Sequence, residues 1–189
     1  MSYKVLVDSN SYFRLARDIH PLLGRPFGDP AYTLYVIKEL DEEFAKSQRL
    51  LSKFYWVSDE QYQANRAACN LGGNVDSFDL NQTVKFMKDH KYNRGLGVSK
   101  IDIAVLATAY LLNIVIVTDD SDVQEMAKDY DMVECMTSLD VLGWLHGEGI
   151  LTIQAVKATV KMWKYEKDLP MAEPIFIEKF FEAFGVLPW

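Results

Sequence analysis

At 189 residues, with 49% hydrophobic and 25% charged residues, the chain is long enough for one domain with a sizeable core, or for one domain with a modest appendage, and its composition excludes a disordered or fibrous protein. No run approaches the roughly 18 apolar residues that a membrane helix needs, and the N-terminus enters a strand pattern with no basic flank or apolar h-region, so a cytoplasmic protein without membrane contact is expected. The net charge of −7 argues against a broad basic surface for nucleic acid, but it leaves room for an acidic metal site whose charge a bound cation would offset.

Tyr3 to Val7 reads as a short buried strand that stops at Asp8-Ser9-Asn10, followed by a helix from about Ser9 to Ala16. His20 to Pro30 holds three prolines and two glycines and reads as a loop, which a short strand near Ala31 to Thr33 closes. From about Leu34 to Lys53, Val36, Ile37, Leu40, Phe44, Leu50 and Leu51 recur at helical spacing, which predicts one long amphipathic helix. Ser58 and Gln61 have the spacing of a capping box, predicting a helix that ends before Gly72-Gly73. A Lys-rich helix over Leu80 to Lys91 comes next.

Ser99 to Leu112 is an apolar helix with small residues that permit close packing, and it leads into the β-branched run Ile114 to Val117, the pattern of a central parallel strand buried on both faces. A short helix over Ser121 to Asp129, a strand over Met132 to Cys135 and a helix over Ser138 to Leu145 complete the alternation. Beyond Gly149 the texture changes to a basic amphipathic helix over Thr152 to Lys167, then one aromatic-rich helix between prolines. The expected organisation is an α/β domain over 1–148 with a central parallel sheet, and a helical extension over 149–189 packed upon it. Cys69 and Cys135 have no zinc spacing with the scattered His20, His90 and His146, and read as free thiols.

In open α/β sheets ligands bind outside the carboxyl ends of the strands. Two predicted strands end there in acids: Asp8, and the run Asp119, Asp120 and Asp122 after Thr118. Asp102 lies in the first turn of the helix before the second of these strands, and a crossover helix begins at the same edge. Glu39 is expected near that edge as well. Carboxylates gathered this way suit a hard cation such as Mg²⁺, which takes oxygen ligands and needs no histidine. Each acid also has a plainer reading: Asp8, Asp119 and Asp120 as helix caps or turn formers, Asp102 as the partner of Ser99 in a capping box, and Glu39 as part of a solvated face with Asp41, Glu42 and Glu43.

The pieces Val5-Leu6-Val7-Asp8-Ser9-Asn10, Val36-Ile37-Lys38-Glu39-Leu40, Asp102 to Ala109 and Ile116-Val117-Thr118-Asp119-Asp120 fall in the order of the four motifs of PIN domains, and over roughly the first 145 residues the chain resembles that family. The resemblance implies a three-layer α/β/α fold, an acidic Mg²⁺ or Mn²⁺ site and endoribonuclease activity, as in the toxins of toxin–antitoxin systems. Matched by position, Asp8, Glu39, Asp102 and Asp120 are the catalytic acids, with Asp119 or Asp122 able to share the last ligand role. Thr118 and Asn10 would be supporting residues. RNA as substrate, a protein inhibitor of the antitoxin kind and a homodimer are the partners it brings. Apart from the resemblance, Lys91, Arg94 and Lys100 belong to a basic cluster ahead of Asp102 that reads equally as a weak substrate-binding set at the rim or as a plain solvated helix end.

The stretch between Glu39 and Asp102 is longer than in compact PIN toxins, and the minimal pattern lacks the segment after Gly149. A solvated face is the expected role of Lys157, Lys161, Lys164 and Lys167 in that segment, against contact with RNA or a partner. Two other readings compete. A catalytically silent PIN-like module would bind RNA or protein, and a phosphatase of the haloacid dehalogenase kind would need an acid where Asn10 stands.

Overall fold

A computed structural model describes residues 3–130 and 134–189. The chain begins with β1 (Tyr3–Val7), α1 (Ser9–Ala16), β2 (Pro26–Phe27) and β3 (Tyr32–Tyr35). Four helices follow: α2 (Glu39–Lys46), α3 (Gln48–Lys53), α4 (Glu60–Ala68) and α5 (Ser77–Arg94), with a 3-10 turn over Tyr55–Ser58 before α4. Then come α6 (Lys100–Leu112), β4 (Val115–Val117), α7 (Ser121–Lys128), β5 (Cys135–Met136), α8 (Ser138–Gly147), α9 (Ile153–Tyr165) and α10 (Glu173–Phe184).

The strands form one sheet in the order β2-β3-β1-β4-β5, parallel except for the β2–β3 pair. Alternation along the central strands divides the core between the two faces. Val5, Val7 and Val117 join one apolar cluster with Tyr12, Phe13, Leu142, Val160 and Phe176, whereas Leu6 and Ile116 join another with Met87, Ile103, Leu106 and Met126. Helices thus cover both faces, an α/β architecture compatible with three α/β/α layers, and each fully buried Val or Leu contributes about 1.5–3 kcal/mol. Among the described residues no helix is long and apolar enough to cross a membrane.

The segment after Gly149 belongs to the first of these cores. Val156, Val160 and Trp163 of α9 and Phe176 and Phe180 of α10 are buried there with Tyr12 and Phe13, and the Trp163 indole N–H donates to the Arg14 carbonyl at 2.9 Å.

Several predicted elements differ from those observed. The single helix expected over Leu34 to Lys53 is instead the end of β3 followed by two helices broken at Ser47, whose backbone is extended (φ −106°, ψ 101°) and whose hydroxyl caps α3 by accepting from the Leu50 N–H at 3.3 Å. The break directs both Phe44 and Leu50 into the core. Within the expected His20 to Pro30 loop, Pro26 and Phe27 pair with β3, and Pro26 is tolerated because β2 is an edge strand. Ser58 closes the 3-10 turn and does not cap α4; Asp59 takes the N-cap position, and Gln63 donates its side-chain amide to the Ser58 carbonyl at 2.7 Å. The Lys-rich helix begins earlier than expected, because Asp76 accepts from the N–H groups of Phe78 and Asp79. It ends where Gly95 adopts φ +68°, the left-handed conformation that favours glycine. Of the strand expected over Met132 to Cys135, Met132 and Val133 lie outside the described residues, and β5 covers Cys135–Met136. Cys69 is buried, Cys135 is exposed, and neither forms a disulfide.

Candidate functional site

β1 and β4 are parallel neighbours in register, Val5 beside Val115 and Val7 beside Val117, so Asp8 and the Thr118-Asp119-Asp120 turn leave the sheet side by side. The Asp8 N–H donates to the Val117 carbonyl at 3.0 Å and fixes the junction. β3 runs parallel to β1 on its other side, and Glu39 opens α2 just beyond it. The carboxyl edge of the sheet therefore carries acids from three consecutive strand ends.

Asp8 is the most deeply placed of them. It caps α1, its Oδ1 accepting from the Ser11 N–H at 2.7 Å, and its carboxyl also hydrogen-bonds the Thr118 hydroxyl. Burial pushes its pKa up to about 7, with the bonds from Thr118 and Ser11 pulling the other way and the nearby Asp119 charge adding to the rise. The Thr118 Oγ accepts from the Asp120 N–H at 3.3 Å, so one fully buried hydroxyl ties Asp8 to the Asp120 turn. Beside Asp8, the Ser9 hydroxyl is buried without a hydrogen-bond partner.

Asp120 caps α7, its Oδ1 accepting from the N–H groups of Asp122 at 2.8 Å and Val123 at 3.2 Å. Asp102 and Ser99 form a reciprocal capping box at the start of α6, with both bonds at 3.1 Å. The two helix starts are bound to each other, because Asp122 Oδ2 accepts from the Gly97 N–H at 2.6 Å. A Cβ on Gly97 would lie 2.6 Å from the same oxygen, so a larger residue there would push the Asp122 carboxylate aside.

The plain capping readings of Asp8, Asp102 and Asp120 thus hold, and they do not use up the acids. In Asp102 and Asp120 the cap engages one carboxylate oxygen, and the second accepts no hydrogen bond from a described residue. Oxygen donors of this kind suit Mg²⁺ or Mn²⁺, and a cation beside Asp8 would offset the cost of its buried charge. Among the described residues no three His, Cys, Asp or Glu side chains stand together as a ready ligand group.

The remaining predicted residues have separate placements. Asp119 is engaged by protein partners: it accepts from the Ser138 N–H at 2.9 Å and the Ser138 hydroxyl, and is ion-paired with Arg14. Glu39 is half-buried in the wall of a cleft between α2, α5 and α6. Asn10 is exposed. The Lys91 ammonium bonds the Val98 carbonyl, and Arg94 is paired with Glu125 at 2.8 Å and Asp129 at 3.6 Å, whereas Lys100 lines the cleft. Arg14, Ser11 and Ser138 were not expected at this edge. Arg14 alone had a signal, as a lone cation inside the apolar run Tyr12-Phe13-Arg14-Leu15-Ala16. The chain matches no protein-family model and no curated protein.

Proposed function

We propose that this chain is a metal-dependent ribonuclease of the PIN kind, hydrolysing phosphodiester bonds with Mg²⁺ or Mn²⁺. The observation that carries the reading is the buried Asp8, linked through the Thr118 hydroxyl to the Asp120 turn of the adjoining strand. A structural cap gains nothing from burial that raises its pKa to about 7, whereas a cation ligand gains a position shielded from water.

In this reading Asp8, Asp102 and Asp120 hold the ion, with Glu39 on the cleft side. A divalent cation held there supplies water activation and neutralises charge on the phosphate and leaving oxygen. The protein's own share is orientation. Thr118 fixes Asp8 relative to Asp120, the Ser99 and Asp102 capping box sets the third carboxylate, and the Gly97 to Asp122 bond keeps the starts of α6 and α7 together.

The test is incubation of the purified protein with single-stranded RNA in EDTA, Mg²⁺ and Mn²⁺. Cleavage confined to the metal-containing reactions supports the proposal. RNA binding with no cleavage under any metal transfers support to the catalytically silent module.

A further inference from the structure

An open cleft of about 780 Å³ lies between α2, α5 and the first turns of α6, and the acidic edge begins at its rim, where Glu39 and Ile101 belong to the lining. Lys38 enters it from the start of α2, Lys88 from α5 and Lys100 from the start of α6. These three lysines are exposed, and no described residue pairs with any of them. That contrasts with Lys91 and Arg94 outside the cleft, which are already engaged.

The acids of the cleft are partly accounted for. Glu42 is paired with Lys46 at 3.4 Å, whereas Glu39 has no cation partner among the described residues. Glu43 has its Oε2 out of water and without a hydrogen bond from any described residue. Three free ammonium groups therefore face two carboxylates that lack a cation partner among the described residues, Glu39 and Glu43. Apolar side chains share the lining: Leu80, Val84 and Ile101 are half-buried there. Exposed cations beside apolar side chains suit a chain that offers both phosphates and unpaired base faces.

We propose that this cleft is the track along which single-stranded RNA reaches the acidic edge, with Lys38, Lys88 and Lys100 on its phosphates. The inference rests on the ribonuclease reading and identifies the residues that hold the substrate.

Fluorescence anisotropy of a labelled oligouridylate, in EDTA and again in Ca²⁺, over a series of salt concentrations, tests it. The triple variant Lys38→Gln, Lys88→Gln, Lys100→Gln should bind about ten-fold or more weakly, and its log K against log salt should be shallower by about two, as loss of three phosphate contacts requires. Lys157→Gln with Lys161→Gln on α9 should match the wild type, and an RNA duplex should bind more weakly than the single strand. Wild-type affinity and salt slope in the triple variant under both conditions would overturn the track, as would tighter binding of the duplex. Metal-dependent cleavage by the wild type in that event would leave the ribonuclease standing, whereas a wild type that neither binds nor cleaves RNA would overturn both.

Discussion

The guanidinium of Arg14 grips the carboxylate of Asp119 in a pair whose side chains are only 7% and 5% exposed. The same guanidinium donates through Nε to the Asp168 carbonyl at 2.9 Å, and the Asp168 carboxylate, 3.7 Å away, also meets Lys53 at 3.0 Å. Asp119 in turn receives Ser138 at the start of α8. One buried cation therefore joins α1, the turn that carries Asp120, and the segment between α9 and α10.

Arg14→Ala should destabilise the fold by roughly 3–5 kcal/mol, because it leaves the Asp119 charge buried and unpaired. Urea unfolding measures this directly. Arg14→Met combined with Asp119→Asn should recover much of the loss, since Asn still accepts from the Ser138 N–H. A cost below about 1 kcal/mol for Arg14→Ala would fit only an exposed pair.

Asp8 makes stability depend on pH in a defined sense. Its carboxyl releases its proton near 3.8 when unexposed to the folded environment and near 7 within the fold, so between those values the folded state binds the extra proton. The favourable contribution is complete below the lower value and is lost as pH rises through the upper one, on the order of 4 kcal/mol in total. Asp8→Asn retains a good N-cap and lacks this titration. In metal-free buffer it should gain melting temperature on the wild type as pH rises from 3.8 to about 7, the range just named. Thermal melts of both proteins check it, and parallel pH profiles would refute it. Mn²⁺ should stabilise the wild type more at the alkaline end.

Asp102→Asn should abolish cleavage and leave the fold intact. Asn can still accept from the Ser99 N–H, so the cost in stability is about 1 kcal/mol or less, whereas loss of the charge removes affinity for a hard cation. Nuclease assays in Mn²⁺ beside thermal melts separate the two effects. Undiminished turnover by the variant would leave Asp102 with its capping role alone.

Truncation at Gly149 should give an aggregated or unfolded product, because it strips Val156, Val160, Trp163, Phe176 and Phe180 from the core around Tyr12 and Phe13. Trp163→Ala in the full chain should cost about 3–5 kcal/mol, combining a cavity with loss of the bond to the Arg14 carbonyl. Circular dichroism of the truncated protein and denaturant titration of the variant test the two statements. A soluble truncation with a cooperative melt would show that the sheet domain stands without these helices.

The sequence alone determined the elements whose signals are local. β1 and α1 were read to the residue and α6 and β4 to within one, since a β-branched run broken by Asp or Asn, and a Ser or Asp at a helix start, act through neighbouring backbone groups. It also indicated which acids follow strand ends, because that needs only the order of elements. Tertiary structure decided the stretch from Leu34 to Lys53, where the same apolar residues serve one helix or a strand with two short helices. Register with β1, Val5 beside Leu34, and the burial of both Phe44 and Leu50 select the second. It decided the fate of Asp119 for the same reason. Chain order cannot distinguish Asp119 from Asp120, but adjacent side chains leave a turn in different directions, and only the packing of α1 and α8 sets Arg14 and Ser138 against one of them.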